Sequence, residues 1–242
     1  MTRISVELVP RDDLVRNVEF VRAHCPEVDT INIPDLSSLT IRSTAVVGRI
    51  PSTFHVIPHL PTASVATAEC VTARIREASI REILVISGDR PNLFSTRSYP
   101  TSIFDVLKEL RGELPELRVY AALDPYRQSL RAELQYAEQK LHAGFDGFFT
   151  QPFFDLNLMQ AYRQHLASVP VFWGLTPVLS EGSQSYWERR NNVVFPKRFR
   201  PTTDWNIGYG RKFVAHVRAC DMDCYIMPLR VSLAEYLPQV LG

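Results

Sequence analysis

The chain has 242 residues, of which 45% are hydrophobic and 22% charged, and its formal net charge is +1. That length suits one (β/α)8 barrel or two small domains, and the near-neutral charge gives no electrostatic reason to expect nucleic acid or a membrane surface as partner. No apolar run comes near about 18 residues and no signal peptide is legible, so a cytoplasmic enzyme is expected.

In chain order, Ile4 to Val9 reads as a strand, with Glu7 set in an otherwise apolar run and Pro10 ending it. Asp12 and Asp13 then open a helix carrying Leu14, Val18 and Val21, since acidic side chains suit a helix N-terminus. Val28 to Ile33 is the second strand, and Ser37 to Val47 a weak helix. Phe54 to Pro58 is the third strand, leading into His59, Leu60, Pro61 and Thr62 before a helix from Ser64 to Ala78. Glu82 to Ile86 is the fourth strand, and its exit loop is Ser87-Gly88-Asp89-Arg90-Pro91, where glycine permits an unusual turn.

Ile103 to Leu110 reads as helix and Leu117 to Ala122 as the fifth strand. Leu130, Leu134, Ala137 and Leu141 recur at helical spacing and Gly144 is the stop. Gly147 to Thr150 is the sixth strand, apolar enough to be buried on both faces and tipped by Gln151. Helices follow at Asn157 to Leu166, Gly182 to Asn191 and Ile207 to Ala219, with strands at Val169 to Gly174 and Cys224 to Met227 and a short tail at the end. Eight strand signals alternating with helices, without a linker or repeat, predict one closed (β/α)8 TIM barrel spanning residues 1–242.

Four cysteines, Cys25, Cys70, Cys220 and Cys224, form no CxxC pair, and read as buried thiols of a reducing compartment in preference to a metal site. Glu7, His59, Asp89, Gln151 and Arg230 share a position, in or just after strands one, three, four, six and eight. Barrel chemistry gathers at strand C-terminal ends, so these distant residues can converge there. Each also has a plainer reading. Glu7 suits a rim, Asp89 a turn, His59 a structural hydrogen bond, Gln151 a helix cap and Arg230 the surface.

In this order the motifs resemble those of the methylenetetrahydrofolate reductase family. SVELVP is similar to the family's S-F-E-F-F-P, PHLPT to P-H-L-T-C, ISGDRP to L-R-G-D-x-P and KLHAGFDGFFTQPFFD to K-V-D-A-G-A-D-x-x-I-T-Q-x-F-F-D. VFWGLTPV resembles I-x-P-G-I-M-P-I, and YIMPLR stands where the family has F-Y-T-L-N-R. The resemblance implies NADH- or NADPH-dependent interconversion of 5,10-methylenetetrahydrofolate and 5-methyltetrahydrofolate, with FAD as cofactor, in a homo-oligomer. It makes Glu7 the acid that protonates the folate ring nitrogen, and a buried strand glutamate can carry the raised pKa this needs. Asp89 then lies near flavin and pterin, Gln151 binds the pterin, Trp187 stacks on substrate and Arg230 binds it. His59, Gly88, Tyr99 and Lys140 match flavin-binding positions. The chain departs from the family where Ser87 replaces an arginine and where Ala121 to Tyr126 replace A-A-Y-P-E-x-H-P-E, both at flavin contacts. A folate or one-carbon-carrier-binding barrel without redox chemistry is the alternative.

Overall fold

A computed structural model of the chain describes residues 2–88 and 99–242. Eight strands, β1 (Ile4–Glu7), β2 (Thr30–Ile33), β3 (His55–Pro61), β4 (Glu82–Ile86), β5 (Arg118–Leu123), β6 (Gly147–Pro152), β7 (Val171–Leu175) and β8 (Asp223–Ile226), form a closed barrel. Every neighbouring pair is parallel, and β8 closes on β1 with Ser5 opposite Tyr225 and Val6 opposite Ile226. The helices are α1 (Leu14–His24), α2 (Glu69–Glu77), α3 (Ile103–Glu113), α4 (Leu130–Ala143), α5 (Leu156–His165), α6 (Glu181–Asn191), α7 (Thr203–Ala219) and α8 (Leu233–Leu241). The expected TIM barrel is thus the fold observed.

Local chemistry sets the helix ends. Ser102 accepts the backbone N–H of Asp105 while Asp105 accepts that of Ser102, a reciprocal cap on α3. Gly144, at φ 110°, ends α4 in the left-handed conformation that glycine adopts without penalty. Strand alternation divides the side chains between two cores. Ile4, Val6, Ile31, Ile33, Cys224 and Ile226 point outward into the layer beneath the helices. Ile57, Leu84, Tyr120, Phe149, Phe172, Tyr225 and Met227 fill the barrel itself, with Phe149 and Phe172 stacked at 4.2 Å.

The N-terminal end of the barrel is sealed by charge. Arg3 donates to both carboxylate oxygens of Glu82, at 2.9 and 3.1 Å, and Tyr120 donates its phenol O–H to the same group at 2.9 Å. Burial alone would push the Glu82 carboxyl up, but Arg3 beside it, with Tyr120, brings it below the ordinary glutamate value. The Arg3 guanidinium also lies 5.1 Å above the Phe172 ring.

Several elements differ from their sequence-based expectation, with β3 running on through His59, Leu60 and Pro61 and α7 beginning at Thr203. The weak helix at 37–47 is a 3-10 turn over Ser43–Arg49, held to the barrel where Ser43 Oγ donates to the His59 carbonyl at 2.6 Å. The helix expected from Ser64 begins at Glu69. The tail folds as α8, which Pro238 disguises, since proline removes a helical hydrogen bond. Strand β6 continues through Gln151 and Pro152. Of the four cysteines, only Cys25 and Cys224 are buried, Cys70 being exposed and Cys220 intermediate; all four are free.

The extension of β6 depends on a bulge against β7 between Phe149 and Pro152. Gly174 makes it possible: a Cβ there would stand 2.6 Å from the Thr150 carbonyl oxygen and 2.8 Å from that of Gln151. Its N–H donates to Thr150 Oγ1 at 2.8 Å. Gly174→Ala is expected to cost about 1–3 kcal/mol, typical of overpacking, measured by urea denaturation. An unchanged midpoint would show that the strands separate without penalty.

Candidate active site

A cavity of about 630 Å³ opens at the C-terminal ends of β1, β2, β7 and β8. Glu7 lines it from β1, Arg11 and Asp13 from the segment that follows, Tyr186 and Trp187 from α6, and Arg230 from the loop after β8. The β1–β8 register turns Ser5, Glu7 and Tyr225 toward the barrel interior, with Tyr225 one layer below Glu7. The Tyr225 phenol O–H donates to Glu7 Oε2. Desolvation raises the Glu7 carboxyl to about 7, although the Tyr225 hydrogen bond works in the opposite direction. Near neutrality this carboxyl therefore exchanges a proton readily, as a general acid or base requires.

His59 is buried behind this pair, its ring 6.5 Å from that of Tyr225. Its Nε2 meets Asn32 Oδ1 at 2.7 Å, and burial lowers its pKa to about 3. The imidazole is neutral at all ordinary pH values and donates from Nε2. Asn32 in turn donates to Ser5 Oγ at 3.4 Å. A short polar chain thus crosses β1, β2 and β3 beneath the cavity.

Gln151, Gly88, Tyr99 and Lys140 are not among the residues lining this cavity. Gln151 sits at the C-terminal end of β6, partly buried, and its side-chain amide has no protein partner among the described residues. Gly88 takes φ 84° and packs on Pro61, where an added Cβ would approach to 2.9 Å. Tyr99 is tied to the loop after β3 through its N–H and the Ala63 carbonyl, 3.0 Å apart. Asp89 lies outside the described residues. Lys140 is buried in the wall between α4 and β5, where its ammonium donates to the Ala122 carbonyl at 2.6 Å and lies 4.0 Å over the Tyr136 ring. Burial lowers its pKa to about 8, against the opposing pull of Glu133.

Trp187 borders the cavity but is only 6% exposed, packed edge-on to Phe154 at 5.8 Å within a cluster that includes Val178, Val193 and Phe199. The residue before it, Tyr186, is 57% exposed on the same cavity. Sequence reasoning passed over Tyr186, Tyr225 and Arg11. The two-residue period of β8, with Asp223, Tyr225 and Met227 alternating with Cys224 and Ile226, already set Tyr225 on the inner face.

Comparison with known proteins resolves the family. The family model described as methylenetetrahydrofolate reductase matches residues 27–204. The chain belongs to the methylenetetrahydrofolate reductase family. The matched span includes His59, Gly88, Tyr99, Lys140, Gln151 and Trp187, whereas Glu7, Tyr225 and Arg230 lie on flanking strands and loops outside it. Solved structures share the barrel at low identity. A 2,3-dimethylmalate lyase of the PEP mutase/isocitrate lyase superfamily is 12% identical at a TM-score of 0.62, covering 95% of this chain and 75% of that one. An oxaloacetate acetylhydrolase is 11% identical at 0.55, covering 93% and 75%. A putative deoxyribose-phosphate aldolase from Toxoplasma gondii is 11% identical at 0.53, covering 98% and 93%. These likenesses concern the fold alone. No helix among the described residues is long and apolar enough to cross a membrane.

Two predictions follow from this geometry. Glu7 is held near 7 in the folded chain and titrates near the ordinary glutamate value of 4.5 when unfolded. Below both values the two states bind the proton alike; between them only the folded state keeps it, so stability falls as pH rises through this window and levels off above it. Glu7→Gln removes the penalty and is expected to stabilise the protein at pH 8 by about 3 kcal/mol, with little effect at pH 4. Equal thermal shifts at both pH values would contradict a raised pKa. The aromatic pair should also separate. Trp187→Ala is expected to cost about 3–5 kcal/mol, as for a buried aromatic, and Tyr186→Ala less than about 0.5 kcal/mol, by chemical denaturation.

Proposed function

We propose that this protein is a cytoplasmic reductase of one-carbon metabolism, interconverting 5,10-methylenetetrahydrofolate and 5-methyltetrahydrofolate with NADH or NADPH as hydride donor. The observation that carries the reading is Glu7, a carboxyl with a pKa of about 7 on the wall of the cavity. Opening the methylene bridge requires a proton on a ring nitrogen that is leaving carbon, and a desolvated carboxylic acid at neutral pH supplies it. The resulting iminium carbon then accepts hydride. Arg230 and Arg11 border the same cavity, and among the described residues neither is ion-paired, so both suit the carboxylates of a folate tail. Gln151, with its free amide, is the pterin contact. Family resemblance alone adds Asp89, which lies outside the described residues. Tyr186, exposed where Trp187 is buried, takes the stacking role on the p-aminobenzoate or nicotinamide ring.

FAD is the hydride carrier that family membership suggests, with His59, Gly88, Asp89, Tyr99 and Lys140 as its contacts. The basic groups of that set do not fit its diphosphate. The His59 imidazole is neutral and given to Asn32, and the Lys140 ammonium is given to the Ala122 carbonyl. These engaged groups also favour a second reading, a homo-oligomeric barrel that binds folate or another one-carbon carrier without redox chemistry.

One set of measurements separates the two. Purified protein is tested for flavin absorbance and then for NADH or NADPH consumption dependent on methylenetetrahydrofolate. The reductase reading expects turnover, and expects Glu7→Gln to lower it by about 10²–10⁴-fold while folate still binds. Folate binding without any consumption of reduced nucleotide would establish the second reading.

A further inference from the structure

We propose that Tyr225 is the positioning residue for Glu7, its phenol O–H fixing the carboxyl so that the second oxygen faces the cavity. The inference rests on the reading of Glu7 as proton donor. Its geometry is set by β8. Tyr225 is 4% exposed, edge-on to Phe149 at 5.1 Å and tilted against His59 at 6.5 Å, so the direction of its hydroxyl is fixed by packing. Its hydroxyl donates to Glu7 Oε2. That leaves Oε1 as the oxygen able to carry the transferable proton.

The other ionisable groups facing this pair cannot substitute for the phenol. From β3, His59 is neutral and committed to Asn32 of β2. After β1, Arg11 and Asp13 line the cavity, as does Arg230 after β8, and among the described residues the hydrogen bond to the Glu7 carboxyl comes from Tyr225. Tyr225 itself keeps its proton, since burial and the neighbouring carboxyl hold it well above an ordinary phenol. The proton count is simple. Glu7 loses one proton from Oε1, the substrate nitrogen gains it, and the new carboxylate remains hydrogen-bonded to a neutral Tyr225. The same phenol therefore orients the acid before transfer and stabilises its conjugate base afterward.

The test reads Glu7 directly, with no need for turnover. Protein labelled with ¹³C at the glutamate carboxyls is titrated by NMR, and Glu7→Gln identifies the Glu7 resonance. In Tyr225→Phe the ring is kept and the donor lost, so desolvation acts unopposed and the Glu7 midpoint should rise by about one pH unit or more. Global 3-fluorotyrosine, which makes the phenol a stronger donor, should move the midpoint down, and serves if Tyr225→Phe folds poorly. Phe172→Leu, which opens a cavity in the same barrel core away from Glu7, should lower stability without moving it. If the protein reduces folate, the alkaline limb of its pH–rate profile should rise with the midpoint in Tyr225→Phe. A Glu7 midpoint unchanged or lowered in Tyr225→Phe overturns the proposal. A raised midpoint in a protein that never consumes NADH or NADPH keeps the positioning role and discards the reductase reading.

Discussion

A half-buried carboxyl group on the barrel wall, without a cation beside it, is the constraint on which the site depends. Glu7 sits above a barrel core of Ile57, Leu84, Phe149, Phe172, Tyr225 and Met227, and no cation is hydrogen-bonded to it among the described residues. Water is the natural partner of a carboxylate, and removing it favours the protonated form. The fold accepts a cost above neutral pH to hold an acid there. A local rule broken in this way, without evident structural gain, is what a functional position leads one to expect.

The opposite end of the same barrel makes the contrast plain. Glu82 is a buried carboxylate where Glu7 is half-buried, but Arg3 grips both its oxygens and Tyr120 donates a third hydrogen bond. There the charge is satisfied and the pKa falls; the group closes the barrel and has no proton to give. Both carboxyls accept a phenol from an inward tyrosine, Tyr120 in one case and Tyr225 in the other. The guanidinium is the difference, and it separates a structural carboxylate from a chemically available one. Between them the stacked pair Phe149 and Phe172 insulates the two ends.

Much of this was legible in the sequence, because strand and helix periods are written in apolar spacing. All eight strands fall within a few residues of their expected places, and Gly144 ends α4 as its type suggests. What escaped had local causes. Pro238 masked α8, whose packing of Tyr236, Leu237, Val240 and Leu241 outweighs the lost hydrogen bond. The β6 bulge, which carries Gln151 to the end of its strand, depends on a backbone approach that only the paired strands reveal. For the site, Glu7 stood out as a lone acid in an apolar strand. The burial of Trp187, the exposure of Tyr186 and the inward commitment of Lys140 depend on tertiary contacts between distant segments. Family resemblance transfers residue identity more readily than side-chain direction.

The central claim is that Glu7 meets the reacting nitrogen of a folate bound in the cavity after β1 and β8. A crystal structure with a reduced-folate analogue tests it most directly. The account predicts N10, the folate nitrogen that leaves the methylene carbon, at about 2.6–3.2 Å from a Glu7 carboxyl oxygen, with Tyr225 still bonded to the other oxygen. A folate bound away from Glu7, or a Glu7 carboxyl turned from the ring, would contradict it.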